Sequence, residues 1–411
     1  MPKKMIKLLR MLLKSLALII LIPLFFISLQ YFNGVIYEFG RNEPFQGNAI
    51  YNPYEEFKGE WLRGNFHCHS LAWGGITNGN QPPREVYEHY YQNGYDVVGM
   101  SNYQQISAPY PGELYMPTYE HGVNIKQNHH IVINSSKPSF ADFFLWQNAH
   151  QKQWVIKKLR EHGGMIAIAH PRIRHAFTVD DMWKIRGYDF IEVLNHYKKS
   201  FSIWDAALSS GVLCWLMAND DSHNVSKENE TCVHWTMIGA DERNRSSILA
   251  AMRKGCHYGV DNRKKHINSN YLDSAKVIGN TVHVYFQKPA DEITFIGDHG
   301  IKRKTLHHSQ QASYMFAPED TYIRVKAKTN HTNLYLNPFL RYDGNTLSTQ
   351  SAIPPVNIFY TILYRIQVML VSSLLLMFIF ILTGALKLAR AEKGLRLSFR
   401  WVNQKKSQPQ A

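Results

Sequence analysis

Apolar positions fall into three regimes along the 411-residue chain. A long apolar run lies near each end. Residues 15–37 carry no charge and Leu16–Phe32 is almost wholly apolar, while Val368–Leu386 is a second uncharged run. Roughly 20 such residues cross the hydrocarbon core of a bilayer as a helix, so each run predicts a membrane span. A cleaved signal peptide has a shorter apolar region, about 7–15 residues, followed by a small-residue cleavage site. Gln30-Tyr31-Phe32-Asn33 is too bulky for one, which predicts an uncleaved anchor.

Between the spans the pattern changes twice. From residue 61 to about 260, short apolar runs alternate with amphipathic ones. Trp61–His67, Asp96–Met100, His130–Asn134, Met165–Ala169, Asp189–Val193 and Leu213–Ala218 read as strands. Arg84–Gln92, His150–Glu161, Val179–Ile185, Ser202–Leu208 and Ser246–Lys254 read as helices. Such alternation predicts an α/β class with a parallel sheet, open or closed into a barrel. After Asp261 come turn-separated β runs at Thr281–Gln287, Glu292–Ile296 and Tyr322–Lys328, which predict a small β domain. The expected organisation is a cytoplasmic tail and span (1–33), a linker (34–60), an α/β domain (61–262), a β domain (263–350), a linker and second span (351–386) and a basic tail (387–411).

Charge refines this picture through its location. The formal net charge is +14, but residues 1–14 hold five Lys/Arg and no acid, and residues 387–411 hold seven Lys/Arg against Glu392 alone. Little excess is left between the spans, so a basic nucleic-acid face is not indicated. Because Lys and Arg resist translocation, the two basic tails predict an integral membrane protein with both termini cytoplasmic and residues 34–356 extracytoplasmic. Cys68, Cys214, Cys232 and Cys256 form no CxxC pair and read as small buried residues, with a Cys232–Cys256 bridge left open.

All 20 histidines lie between His67 and His331. Residues two apart in a strand share a face, so His67 and His69 can reach one metal. An isolated HxH is a weak signal; its recurrence at other strand ends adds weight. His170-Pro171 closes one strand, Asp221-Ser222-His223 follows another, and Glu120 and His130 flank a third. Side chains at successive strand ends converge on one mouth in α/β barrels, which predicts a multinuclear metal site.

With these residues in view, the stretch from about residue 60 to 262 resembles the polymerase and histidinol phosphatase (PHP) superfamily of metal-dependent hydrolases. The resemblance is carried by Trp61-Leu62-Arg63-Gly64-Asn65-Phe66-His67-Cys68-His69-Ser70, Asp96–Tyr103, Tyr119-Glu120 with His130, His170-Pro171, Ile191–Asn195 and Asp221-Ser222-His223. The opening Trp-x-x-Gly-Asn and the trailing β runs look most like its carbaryl-hydrolase-like branch. The resemblance implies a distorted (β/α)7 barrel of PHP type with metals at the strand C-termini, a small C-terminal β domain and, here, two flanking transmembrane helices. It implies that His67, His69, Glu120 and Asp221 hold one divalent cation and that Glu120 bridges to a second held by His130 and His170. His223 matches a ligand of a third cation. His129 adjoins His130, but only His130 abuts Ile131-Val132-Ile133, and it is the preferred ligand. Thr77-Asn78-Gly79 and Ser101-Asn102-Tyr103 stand where the family usually has Ser-Asp-Gly and Thr-Asp-His. An amide binds a cation more weakly than a carboxylate, so two cations (zinc, manganese or iron) are expected rather than three.

The resulting expectation is a membrane-tethered phosphoesterase, with Arg172 meeting phosphoryl oxygens and His223 protonating the leaving group. Its partners would be the membrane and a phosphoester that is lipid- or envelope-linked. Two alternatives remain open at this point: a carboxylic-ester or carbamate hydrolase of the same superfamily, and a receptor or scaffold on a decayed site, suggested by Asn78, Asn102 and Tyr103.

Overall fold

In the computed structural model, which describes residues 3–110, 114–262, 270–329, 332–345, 347, 352–391 and 394–399, the chain divides into two compact units. One comprises residues 1–37, 143–145 and 356–411, and the other residues 38–142 and 146–355. The expected boundary at 262/263 and the end of the basic tail lie outside the described residues.

The first unit holds two helices long and apolar enough to cross a membrane, Lys3–Gln30 and Ile358–Thr383. Each starts before its uncharged run, because a helix continues wherever its backbone can bond to itself, and Lys and Arg favour helix nearly as well as Leu. Asn357 caps the second helix by accepting from the Tyr360 amide at 3.0 Å, and Gly384 ends it in the left-handed conformation at φ 78°. The two helices run antiparallel. Ser28 Oγ lies 2.7 Å from Ser372 Oγ, the Ile36 amide donates to Thr361 Oγ1 at 2.9 Å, and Tyr37 bridges Val356.

The second unit is mixed α/β and contains two sheets. A five-stranded sheet has the order Thr118–His121, His130–Ile133, Met165–Ile168, Phe190–Leu194, Trp215–Ala218. Its last three strands are parallel and its first three antiparallel. Every residue of these five strands is buried, as expected of strands covered on both faces. Helices Ala149–Arg160 and Phe201–Ser209 supply cover on two of the connections. No helix separates Thr118–His121 from His130–Ile133, so that pair turns back antiparallel.

In the larger sheet, whose edge strand is Ala49–Tyr51, Glu60–Asn65 runs parallel to Val97–Val98. On its other side Glu60–Asn65 pairs antiparallel with His234–Ala240, which pairs with His257–Asp261. The strands after residue 270 extend this same sheet: Asn333–Leu336 pairs with His257–Asp261, and Tyr322–Lys328 pairs with Asn333–Leu336. The two expected runs around 281–296 form one strand, Thr281–Ile296, whose register with Lys302–Met315 breaks between Tyr285 and Ala290. Pro289 lies in that break, where the ladder cannot use its missing N–H. The sheets remain two ladders rather than one closed parallel barrel. They approach each other through isolated bridges, Cys68 with Ser222 and Tyr103 with Glu120, both parallel. All four cysteines are free thiols, and no Cys232–Cys256 bridge forms.

Candidate metal centre

The two bridges between sheets lie where the histidines gather. The chain leaves Glu60–Asn65 into His67 and His69, and leaves Trp215–Ala218 into Asp221 and His223. The Asp221 amide donates to the His67 carbonyl at 2.8 Å and the His69 amide to the Ser222 carbonyl at 2.8 Å, which fixes these two segments side by side. Glu120 comes from Thr118–His121, and His170 follows Met165–Ile168. His170 and Asp221 have positive φ, 27° and 57°, a conformation that costs a non-glycine residue about 1–3 kcal/mol and persists only when its surroundings over-determine it.

Glu120 is fully buried at the centre. Its Oε1 lies 2.7 Å from His129 Nδ1 and 3.1 Å from His170 Nε2, and its Oε2 lies 3.2 Å from His69 Nε2 and 3.5 Å from His67 Nε2. One carboxylate therefore presents an oxygen to each of two imidazole pairs. Asp221 Oδ1 completes the second group at 3.1 Å from His67 Nε2, 3.4 Å from His69 Nε2 and 3.5 Å from His223 Nε2. In His67–Glu120–His170 and again in His67–His69–Asp221, the ligand atoms all fall within 4.8 Å of one another.

These residues fit divalent cations. His67 Nε2, His69 Nε2 and Glu120 Oε2 are buried and make no hydrogen bond despite their closeness. Lone pairs that converge without pairing cost free energy unless a shared cation satisfies them. Imidazole and carboxylate together suit zinc, manganese or iron.

Supporting contacts orient the ligands. His67 Nδ1 lies 2.9 Å from Glu192 Oε1, which leaves Nε2 facing Glu120 and Asp221. Glu192 is itself held by the His170 amide at 2.8 Å, Asn195 Nδ2 at 3.0 Å and Asn219 Nδ2 at 3.0 Å. Asn195 Nδ2 also donates to Asp221 Oδ2 at 3.1 Å. Neighbouring Asp220 faces away, accepting from the amides of Cys232, Val233 and His234 and from the Tyr90 hydroxyl.

Charge follows from this packing. Burial works to raise the Glu120 carboxyl, but the His129 and His67 charges and hydrogen bonds from His129 and His170 outweigh it and hold the group well below the usual range. Burial works to lower His67, but Asp221, Glu192 and Glu120 outweigh it and raise the imidazole well above its ordinary value. His223 is pushed down to about 3 by burial and then by the charge of His69, whose ring stacks on it at 4.2 Å.

Beside Glu120, where His130 is the expected ligand, the geometry places His129. His130–Ile133 runs antiparallel to Met165–Ile168, so its beginning rather than its end lies at the site. Successive side chains alternate faces, which turns His130 away, against Phe177 at 5.5 Å and His121 at 5.9 Å between ring centroids. Glu120 pairs with Ile131, and His129, two residues before Ile131, shares that face. His67, His69, Glu120, His170, Asp221 and His223 are brought together. Arg172 is exposed, and its Nη1 donates to the Lys199 carbonyl at 3.1 Å.

Asn102 and Tyr103 have definite places. Asn102 Oδ1 accepts from the Ser70 amide at 2.8 Å, and its Nδ2 donates to Ser70 Oγ at 2.8 Å and Ser107 Oγ at 2.9 Å, so it braces the loop after His69. The Tyr103 ring stacks on His69 at 4.7 Å.

No protein-family model and no curated protein matches the sequence. Among solved structures, the chain is similar to a two-domain protein from Bacteroides vulgatus ATCC 8482 described as containing a predicted PHP-like metal-dependent phosphoesterase. The identity is 12%, covering 75% of this chain and 92% of that one, with a TM-score of 0.39. At that score the likeness decides nothing about this chain, and the site rests on its own residues.

Proposed function

We propose that the protein is a membrane-tethered, metal-dependent phosphoesterase with two divalent cations. The observation that carries this reading is Glu120 set between two imidazole pairs, with Asp221 completing one of them. His67, His69, Glu120 and Asp221 would hold one cation, and His129, His170 and Glu120 the other. Paired cations supply a nucleophile at neutral pH and neutralise charge on the attacked group. A phosphoester suits such a site because its transition state spreads charge over non-bridging oxygens.

The chain's own residues share the remaining work. Glu192 and Asn195 orient His67 and Asp221. Tyr103 walls the site beside His69 and positions the substrate. Arg172, on the loop after His170-Pro171, meets a phosphoryl oxygen. A neutral imidazole is a ligand rather than an acid at neutral pH, so His223, whose Nε2 lies 3.5 Å from Asp221 Oδ1, would add a further ligand to the first cation rather than protonate the leaving group. Two cations are proposed rather than three because the Asn102 amide is committed to Ser70 and Ser107.

Further parts of the reading concern fold and place. The bridges Cys68–Ser222 and Tyr103–Glu120 support a distorted seven-stranded barrel of PHP type, joined at the site. The antiparallel course of the two apolar helices supports a topology with both chain ends on one side of a membrane, and their basic flanks support the cytoplasm as that side. The catalytic unit is then extracytoplasmic and held near the bilayer, where the substrate would be a lipid- or envelope-linked phosphoester rather than nucleic acid.

The test is metal analysis of the full-length protein followed by turnover of p-nitrophenyl phosphate, bis(p-nitrophenyl) phosphate and p-nitrophenyl acetate. About two equivalents of metal with phosphate turnover are expected. Acetate turnover alone would point to a carboxylic-ester hydrolase, and a metal-free protein to a decayed site.

A further inference from the structure

Beside the metal centre, the second unit has an open groove of about 620 Å³ whose walls include Trp73, Ile106, Pro138 and Phe140. Two aromatic side chains of the wall meet water, Trp73 at 49% and Phe140 at 66% exposure. Apolar and aromatic side chains on the wall of a groove offer a place to an apolar ligand group. Lys137, also on the wall, is the cation available to an anionic group at the rim.

The groove is tied to the site by hydrogen bonds. Trp73 Nε1 donates to the Tyr103 carbonyl at 2.7 Å, and the Tyr103 ring is the one stacked on His69. Gln104, another wall residue, donates its amide to the Glu120 carbonyl at 2.8 Å. The groove wall and the metal centre thus share the Tyr103-Gln104 segment.

We infer that this groove receives an acyl chain of a lipid phosphoester whose phosphate lies at the metal centre. The inference rests on the phosphoesterase reading for the headgroup and on the groove's own residues for the chain. Burying such a chain removes apolar surface from water on both partners, at about 25 cal/mol for each Å². A soluble phosphoester would gain nothing from Ile106 or Phe140.

Trp73 supplies a reporter that needs no turnover. The full-length protein, in phosphatidylcholine nanodiscs, is titrated with phosphatidate carrying dibrominated acyl chains, and the quenching of tryptophan fluorescence is compared with that of Trp73→Phe. The expected result is saturable quenching that depends on Trp73, is competed by unbrominated phosphatidate, and weakens at least tenfold in Ile106→Asp and in Phe140→Ser. Phe140 is exposed enough that its replacement leaves folding intact. Absence of Trp73-dependent quenching overturns the inference. Equal quenching by dibrominated phosphatidylcholine also overturns it, since the loop would then merely dip into the bilayer. Saturable quenching in a protein that hydrolyses no phosphoester would sink the activity alone, whereas hydrolysis without quenching would sink the groove alone.

Discussion

Glu192 Oε1 stands 2.9 Å from His67 Nδ1, the ring nitrogen that does not face Glu120 and Asp221. A carboxylate in that place selects the tautomer that leaves Nε2 unprotonated toward a cation, and also raises the basicity of the ring. Glu192→Gln keeps the shape but weakens this preference. Metal affinity should fall about 10–100-fold, read by competition with a chelator. Unchanged affinity would mean that Glu192 only fills space.

His129 and His130 are adjacent in sequence and opposite in role. His129→Ala should remove about one of the two metal equivalents and most turnover. His130 is buried with neither ring nitrogen hydrogen-bonded, and a buried polar group without a partner costs about 1–3 kcal/mol. His130→Leu should thus keep its metal and melt no lower than the parent protein. Metal loss in His130→Leu, with full metal in His129→Ala, would reverse the assignment.

Stability should depend on pH through His257, which lies away from the metal centre. Burial pushes this imidazole down to about 4, partly offset by its bond to the Leu216 carbonyl at 2.9 Å. Its unfolded value is near 6.5, so between pH 6.5 and 4 the unfolded chain binds the extra proton. Stability from keeping this group neutral is complete above pH 6.5 and is lost toward pH 4, by up to about 3 kcal/mol. Denaturant midpoints at pH 7.5, 6 and 5 should show a shallower decline in His257→Gln than in the parent. Parallel declines would remove His257 as the cause.

Ser28 meets Ser372 while Ile36, further along, meets the earlier Thr361, so the two apolar helices run antiparallel. Tags placed at either chain end should both resist protease added outside intact cells, while the unit between the helices is cut. Cleavage of a tag at Ala411 from outside would rule out the proposed topology.

Much of this architecture is legible in the sequence because it depends on local pattern. Length and apolarity specify the two long helices. The helices Pro83–Gln92 and Ala149–Arg160 each begin within one residue of the reading, since a proline at the first helical position and the Asn148 capping box are local signals. Tyr322–Lys328 has the bounds its alternation predicts. His67 and His69 sharing a face follows likewise from the two-residue period of extended chain.

Tertiary structure decided what depends on direction and on distant partners. Whether His129 or His130 meets Glu120 turns on the register that pairs Glu120 with Ile131, which no property of the two histidines reveals. Glu192 orients His67 across 125 positions of sequence. The strands beyond residue 270 belong to the sheet that contains Glu60–Asn65 because Asn333–Leu336 pairs with His257–Asp261. Pairing between segments far apart in the chain is chosen by complementary edges and burial once the sheets assemble, so the local pattern of either segment alone does not contain it.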